Sequence, residues 1–309
     1  MAFSLRKPSE RGIVGLDIDS RYLAAAEIHG GRIARSASLD LPKGLVQDGE
    51  VTDADALGAE LKRFVADAGL PRNVRLGVSN QQIVVRVIEL PPIADEKERD
   101  AAVRFQAEDA IAMPLDEAVL DHQLAGYAEA HDGSPRMQVV VVAARRRMIE
   151  TLLQAVKSAG LRAEGVDLDA FALVRALAVN GHGSEDGARV FCHLAGVTNL
   201  AIAVASSCFF TRPLSATWHD EDAGSLLADE IRLSIDYYRT QPQAMPVGEV
   251  VLSGPGSSDE GLVESLTHNL GIPVEVAAPL GHIDSSGLRA DEDPHRYTLA
   301  AGLALGALA

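Results

Sequence analysis

Cysteine is scarce in this chain, with only Cys192 and Cys208 among 309 residues. Both lie in apolar, strand-like runs, which is typical of buried reduced thiols and not of a disulfide framework. Long hydrophobic runs are also missing, since no stretch approaches the ~20 apolar residues of a membrane-spanning helix. The opening MAFSLRKPSE lacks the apolar stretch of a signal peptide. We therefore expect a cytoplasmic protein.

Basic charge is in short supply as well. The chain has 28 Lys and Arg residues and 44 Asp and Glu residues, which gives a net charge of −16. This surplus of acid argues against nucleic acid as the main partner. Aromatic residues make up only 4% while hydrophobic residues make up 47%, so we expect aliphatic strands packed under helices. A chain of this length exceeds what one small core needs and is enough for two lobes.

Strand and helix patterns alternate along the first part of the chain. Three short apolar segments joined by polar or glycine turns predict three successive strands. An amphipathic pattern that ends before Gly69 predicts a helix, and a further strand follows it. The predicted elements are strands at 12–18, 22–28 and 31–39, a helix at 53–68 and a strand at 74–78.

A segment with its own strands and helices follows, from residue 82 to about residue 164, and it predicts an inserted subdomain. A strand at 161–168 and a helix at 169–179 then return to the first layer. The polar, glycine-rich segment 180–187 is the best candidate for a linker between two lobes. These boundaries predict a basic lead-in at 1–11, a first lobe at 12–187 and a second lobe at 188–309.

The opening pattern recurs after the linker. Shifting the sequence by 176 residues places Asp17 on His193, and the strand–turn–strand–turn–strand rhythm matches without a gap. Helices at 226–238 and 260–270 flank a strand at 249–253, and an apolar tail at 298–309 predicts a packed terminal helix. A duplicated β-β-β-α-β-α unit is the organisation of the two-lobed actin-like ATPase fold, an α/β class.

Several motifs resemble those of the PilM family of type IV pilus assembly proteins, which is related to the division protein FtsA. The basic lead-in and turn LRKPSERGIVGLDIDSRYLAAAEI and the segment DLPKGLVQDGE fit the family pattern. The most specific stretch is IELPPIADEKERDAAVRFQAEDAIAMPLDEAVLDHQ, and VVVVAARRRMIETLLQAVKSAGLRAEGVDLDAFAL continues it. LADEIRLSIDYYRTQ and VVLSGPGSSDEGL resemble the late helix and the adenosine-side loop of the family.

The resemblance implies a function as well as a fold. PilM-type proteins are cytoplasmic scaffolds that bind the N-terminal peptide of PilN, a bitopic inner-membrane protein, and connect indirectly to the pilus motor ATPases. FtsA-like members carry a subdomain inserted in the first lobe, as 82–164 is expected to be, and the peptide docks where this insert meets the lobe. By position, Arg104, Phe105 and Glu108 are candidates for that neighbourhood. The alternative places Phe105 in the core and makes Arg104 and Glu108 an i,i+4 surface pair. Pilus assembly, secretion, DNA uptake and homo-oligomerisation all stay open.

The resemblance also implies an ATP site between two β-turns, with backbone N–H groups on the phosphates and a carboxylate that organises magnesium through water. Asp17 is the candidate for that carboxylate. The other candidate nucleotide ligands are Ser20, Gly196, Thr198, Gly254 and Gly256.

Three departures from the family predict that ATP and magnesium binding is weakened or lost. Asp19 stands where glycine is usual, and its carboxylate would repel phosphate. His193 replaces an aspartate, although magnesium prefers oxygen ligands. The segment between Leu214 and Leu226 is shorter than in the family.

Two alternatives to a non-catalytic scaffold remain. One is a working ATPase switch of the same machine. The other is a magnesium phosphatase, since Asp17-Ile18-Asp19 after an apolar strand is also found where one Asp is a nucleophile and the second a general acid. Arg21 occupies the fifth position of that motif, where Thr or Val is expected.

Overall fold

The computed structural model describes residues 12–130, 132–178, 187–288 and 291–306. The predicted basic lead-in at 1–11 lies outside these residues. So do 180–186 of the predicted linker, Val179 at the end of a predicted helix, and 307–309 at the end of the apolar tail. Within the described part, no helix combines the length and the apolar character needed to cross a bilayer.

The first lobe opens with three antiparallel strands, as predicted. These and the next elements are β1 (Val14–Ile18), β2 (Tyr22–His29), β3 (Arg32–Asp40), the hairpin strands β4 (Val46–Gln47) and β5 (Glu50–Val51), α1 (Ala54–Ala68) and β6 (Asn73–Val78). Asp53 caps α1 by accepting hydrogen bonds from the N–H groups of Asp55 and Ala56. Gly69 ends the helix with a left-handed φ of 61°. The sequence did not predict β4 and β5, because two-residue strands carry no periodicity.

The insert forms a separate three-stranded sheet in the order β7-β9-β8, covered on one face by α2. Its elements are β7 (Val84–Leu90), α2 (Glu96–Ala110), β8 (Ala118–Glu129) and β9 (Pro135–Arg145). The chain then returns to the first lobe with α3 (Arg146–Ser158), β10 (Arg162–Leu168) and α4 (Asp169–Leu177). Because α3 packs in one core with α1 and β10 joins the first sheet, the insert sheet ends well before residue 164.

The second lobe repeats the first. Its elements are β11 (Ala188–His193), β12 (Thr198–Val204), β13 (Ser207–Leu214), α5 (Ala223–Arg239), β14 (Val247–Ser253), α6 (Glu260–Leu270), β15 (Val274–Val276) and α7 (Thr298–Leu305). The first sheet has the order β10-β6-β1-β2-β3 and the second has the order β13-β12-β11-β14-β15. Each begins with an antiparallel meander and adds two parallel strands beside its first strand. The predicted duplication is therefore confirmed in three dimensions.

Two helices lie between the sheets. α4 contacts the second sheet, α7 contacts β1 and β2 of the first, and the two helices pack against each other. The contact is close, because a Cβ on Gly302 of α7 would lie 2.0 Å from the carbonyl oxygen of Ala172. α7 thus follows the second lobe in the chain but packs on the first sheet. The predicted second lobe, 188–309, did not include this contact with the first lobe. Cys192 and Cys208 are both unpaired and buried, as predicted.

Candidate functional site

The parallel strands of the first sheet end at one edge, which collects polar side chains. Asp17 lies near the end of β1, Ser79 follows β6, and Asp169 begins α4 directly after β10. The carboxyl ends of parallel strands meet at the same edge of a sheet, so these side chains line one cleft. Sequence reasoning missed Asp169, which is not among the candidate site residues named from the sequence. Its position directly after the predicted strand at 161–168 was the available signal.

Asp17 and Asp169 are buried carboxyl groups that lack full hydrogen bonding. Among the described residues, Asp17 Oδ2 and Asp169 Oδ1 have no hydrogen-bond partner. Burial, followed by the charges of Asp169 and Asp19, raises the pKa of Asp17 well above its usual range. Burial, followed by the charges of Asp19 and Asp167, raises the pKa of Asp169 to about 7. Two crowded carboxyl groups of this kind hold a proton or a cation more strongly than isolated ones do.

The second lobe faces this edge with the turn between β11 and β12, residues 194–197. Asp19 reaches this turn from the first lobe: its Oδ2 accepts hydrogen bonds from Gly196 N at 2.9 Å and from Val197 N at 3.3 Å. Its Oδ1 accepts a hydrogen bond from Arg21 N at 2.8 Å in its own turn. Burial raises the pKa of Asp19, and these backbone N–H groups act against that rise. The backbone N–H groups that the sequence assigned to phosphate thus contact a carboxylate of the same chain.

His193, the residue predicted to replace an aspartate of the nucleotide site, is fully buried. Its Nδ1 lies 3.0 Å from Ser253 Oγ, and its Nε2 has no partner in the described part of the chain. Burial, with a smaller effect of His295, lowers the pKa of His193 to about 3. The imidazole is therefore neutral at physiological pH and offers magnesium no oxygen ligand. Among the residues described, no group of three or more His, Cys, Asp or Glu residues is arranged to hold a metal ion.

The remaining predicted nucleotide ligands divide into two groups. Ser20 and Gly196 meet in the cleft, since a Cβ on Gly196 would lie 2.2 Å from Ser20 Oγ. Gly254 and Gly256 instead pack behind the second turn, where added Cβ atoms would meet the Leu194 carbonyl and the Trp218 ring. Thr198 is fully buried in β12 and its hydroxyl has no partner among the described residues. The structure therefore brings Asp17, Ser20 and Gly196 together and leaves the other three outside the cleft.

The space between the two turns is small. The cavity lined by Asp17, Asp19 and Asp169 has a volume of about 30 Å³, which exceeds the minimum of ~10–15 Å³ that one water molecule needs. The carboxylate pair suits a cation, whereas the second turn has its N–H donors occupied by Asp19.

A larger groove lies where the insert meets the first lobe, with a volume of about 330 Å³. Val119, Val140 and Val142 line it from the insert sheet, and Val166 and Phe171 line it from β10 and α4. At one side, Asp167 Oδ2 accepts hydrogen bonds from Arg75 at 3.3 Å and from Arg175 at 3.0 Å. An adjoining cavity of about 260 Å³ extends the groove to Ser206–Cys208 at the β12–β13 turn of the second lobe.

The predicted partner-binding residues lie on the other side of the insert sheet. Alternate residues of β9, such as Val139 and Val141, pack against α2, while Val140 and Val142 face the groove. Arg104, Phe105 and Glu108 are on the exposed face of α2, and Phe105 is 72% exposed. The alternative that Phe105 belongs to the core is therefore wrong. A role of these three residues in partner binding stays a prediction, for a surface separate from the groove.

Comparison with solved structures defines the class of protein. A structure described as "PilM-PilN type IV pilus biogenesis complex" matches with a TM-score of 0.82 and 25% identity, over 98% of this chain and 100% of that chain. The ethanolamine utilization protein EutJ from Carboxydothermus hydrogenoformans matches with a TM-score of 0.54 and 13% identity, over 99% of this chain and 92% of that one. With the duplicated sheets and the cleft between them, these matches define a protein of the actin-like ATPase fold, as predicted.

The family follows from the sequence match along the chain. The family described as "Type IV pilus assembly protein PilM" matches residues 15–212 and 224–308. The chain belongs to this family of type IV pilus assembly proteins. The predicted resemblance to the PilM family is therefore confirmed.

Proposed function

We propose that this chain binds the cytoplasmic N-terminal segment of a PilN-like inner-membrane protein, and that this contact places it at the inner face of the membrane. The groove between insert and first lobe is the binding site. The supporting observation is a groove lined by valines and Phe171, with a partly buried Arg75–Asp167–Arg175 cluster at its side, in a chain whose fold matches that of a PilM-PilN complex. Contacts with pilus motor ATPases are then indirect, and the chain acts as a scaffold.

The lining of the groove suits an extended segment with apolar side chains. Valines of β8 and β9 form one wall and Phe171 forms the other. Arg75 and Arg175 share the single carboxylate of Asp167, so one cationic charge at this side is not neutralised by that carboxylate. Those guanidinium groups can donate hydrogen bonds to main-chain carbonyls of a bound segment. The adjoining cavity at Ser206–Cys208 brings the same segment into contact with the second lobe.

A weakened nucleotide site accompanies this scaffold role. The support comes from the neutral His193 in place of an oxygen ligand, from the narrow cleft, and from Asp19 at the second turn. A working ATPase switch is the alternative. Titration of the nucleotide-free protein with ATP and magnesium, followed by a phosphate-release assay, distinguishes the two. Micromolar binding with steady phosphate release would favour the switch.

The partner proposal is tested with a fluorescent peptide of the N-terminal segment of the bitopic membrane protein encoded beside this chain. Val119→Glu places a charge in the groove at a position that is 38% exposed, so the fold tolerates it. Burying an unpaired carboxylate costs more than about 1.4 kcal/mol, so the peptide Kd should rise by roughly tenfold or more. Fluorescence anisotropy measures the change.

Tyr127→Glu is the matched control, because Tyr127 is on the same strand but pairs with Met137 on the α2 face. It should leave the Kd unchanged. Phe105→Ala tests the exposed face of α2 separately. If Phe105→Ala abolishes binding and Val119→Glu does not, the groove is not the binding site.

A further inference from the structure

We propose that Asp19 serves as an internal anion that fills the phosphate turn of the second lobe and keeps the cleft closed without nucleotide. This inference deepens the proposal that the nucleotide site is weakened and rests on it. The two lobes would then stay closed through a contact within the chain, without a bound nucleotide. The occupied turn is the segment 194–197 between β11 and β12.

The hydrogen bonds of Asp19 divide between the two lobes. Oδ1 accepts from Arg21 N at 2.8 Å, a local turn contact that many Asp, Asn or Ser residues make. Oδ2 accepts from Gly196 N at 2.9 Å and Val197 N at 3.3 Å, in the other lobe. Successive backbone N–H groups in a turn form an anion-binding concavity. A carboxylate oxygen at this point makes the same contact that a phosphate oxygen would make.

The residue opposite Asp19 fits this contact. A Cβ on Gly196 would lie 2.4 Å from Asp19 Oδ1 and 2.8 Å from Oδ2. Any larger residue would push the carboxylate away from the turn, so glycine at 196 admits Asp19 just as it would admit a phosphate. Asp19 is only 8% exposed, which excludes most water from the contact. A charge-assisted bond in such surroundings is stronger than the same bond at the surface.

The contact of Asp19 with the second turn lies at the start of the strand that also reaches one wall of the groove. β12 starts at Thr198, directly after the occupied turn, and ends beside Ser206–Cys208, which line the cavity adjoining the groove. β12 therefore connects the occupied turn directly to the second-lobe wall of the groove. Packing of α4 and α7 between the sheets holds the lobes together elsewhere, so loss of Asp19 should not unfold the chain.

Hydrogen exchange of the full nucleotide-free chain, followed residue by residue by NMR, tests the contact. Asp19→Ser keeps a hydroxyl for the local turn but does not reach the second lobe, and Asp19→Gly removes the side chain altogether. In both variants the amides of Gly196 and Val197 should exchange at least about tenfold faster than in the parent protein. Asp116→Gly removes an exposed carboxylate in the insert and should change neither amide.

Titration with ATP and magnesium is the second readout. The parent protein should show no saturable binding up to about 1 mM, and Asp19→Gly should bind measurably because the N–H donors are released. If the two amides exchange at the parental rate in both variants, the internal anion is overturned, whatever the titration shows. Micromolar binding by the parent would instead refute the weakened site, because the Asp19 contact is judged from exchange without nucleotide.

Discussion

Replacing Asp169 by asparagine is expected to stabilise the protein at alkaline pH and to remove much of the pH dependence of its stability. Asp169 is buried beside Asp17 and Asp19, and its Oδ1 is unpartnered in the described part of the chain. Burial raises the pKa of Asp169 in the folded protein to about 7, whereas an unfolded aspartate has a pKa of about 3.9. Between these values the folded protein holds a proton that the unfolded chain has released.

The sign follows from proton linkage. A folded state that binds more protons than the unfolded state loses stability as pH rises. The free energy of unfolding should therefore fall from about pH 4 to about pH 7 and level off above. Each pKa unit corresponds to about 1.4 kcal/mol, so the roughly three-unit difference sets an upper limit near 4 kcal/mol for this group. Asp17 has a raised pKa for the same reasons and adds to the same slope.

Urea denaturation from pH 4 to pH 8.5 in EDTA measures the effect. Asp169→Asn should match the parent near pH 4 and exceed it by about 2–4 kcal/mol at pH 8. Asp116→Asn, an exposed position, controls for the loss of one carboxylate. In a separate series without EDTA, magnesium should stabilise the parent at pH 8 and not the variant if the pair Asp17 and Asp169 takes a cation. Parallel pH curves for parent and Asp169→Asn would refute the reasoning.

Three further substitutions test the fold around the site. Gly302→Ala places a Cβ 2.0 Å from Ala172 O, so thermal unfolding should show a loss of about 3 kcal/mol; an unchanged Tm would mean that the two helices are not in this contact. Asp53→Ala removes the cap of α1 and should cost about 1 kcal/mol in urea, whereas Asp53→Ser should restore most of it. Glu230→Gln removes the negative charge of a carboxylate that accepts hydrogen bonds from Arg212 and from the N–H group of Ala216, after β13. It should cost about 1–2 kcal/mol, and a neutral effect would contradict that anchoring role.

Much of the secondary structure could be predicted because capping residues and the spacing of apolar residues mark each element within its own segment. α1 starts at a capping aspartate and ends at a glycine with positive φ, both visible as residue types. The rhythm shared by β1–β3 and β11–β13 predicted the duplication despite negligible identity. Period-2 and period-3.6 patterns depend only on which face of an element is buried, so they can be recognised without knowing the neighbours.

The site was predictable only in part, because its members come from distant segments. Asp17, Ser20 and Gly196 were candidates because the family resemblance implied them, and the structure places them in one cleft. Asp169 joins them only because β10 lies parallel to β6 in the sheet. Asp19 was expected to repel phosphate, and the structure adds where its carboxylate goes. The direction of a carboxylate across a cleft depends on how two lobes close, which no local pattern encodes.

The groove shows the same division. The sequence predicted that a subdomain interrupts the first lobe, but it left open whether Phe105 of α2 is buried or exposed, and the structure shows that it is exposed. Alternation along β9 predicts two faces for the insert sheet, but it does not say which face α2 covers. Only tertiary packing decided that α2 takes the face of Val139 and that the face of Val140 is left toward α4. The physical reason is that a strand alternates its side chains by covalent geometry alone, while the layer that buries each face is set by contacts between elements far apart in the chain.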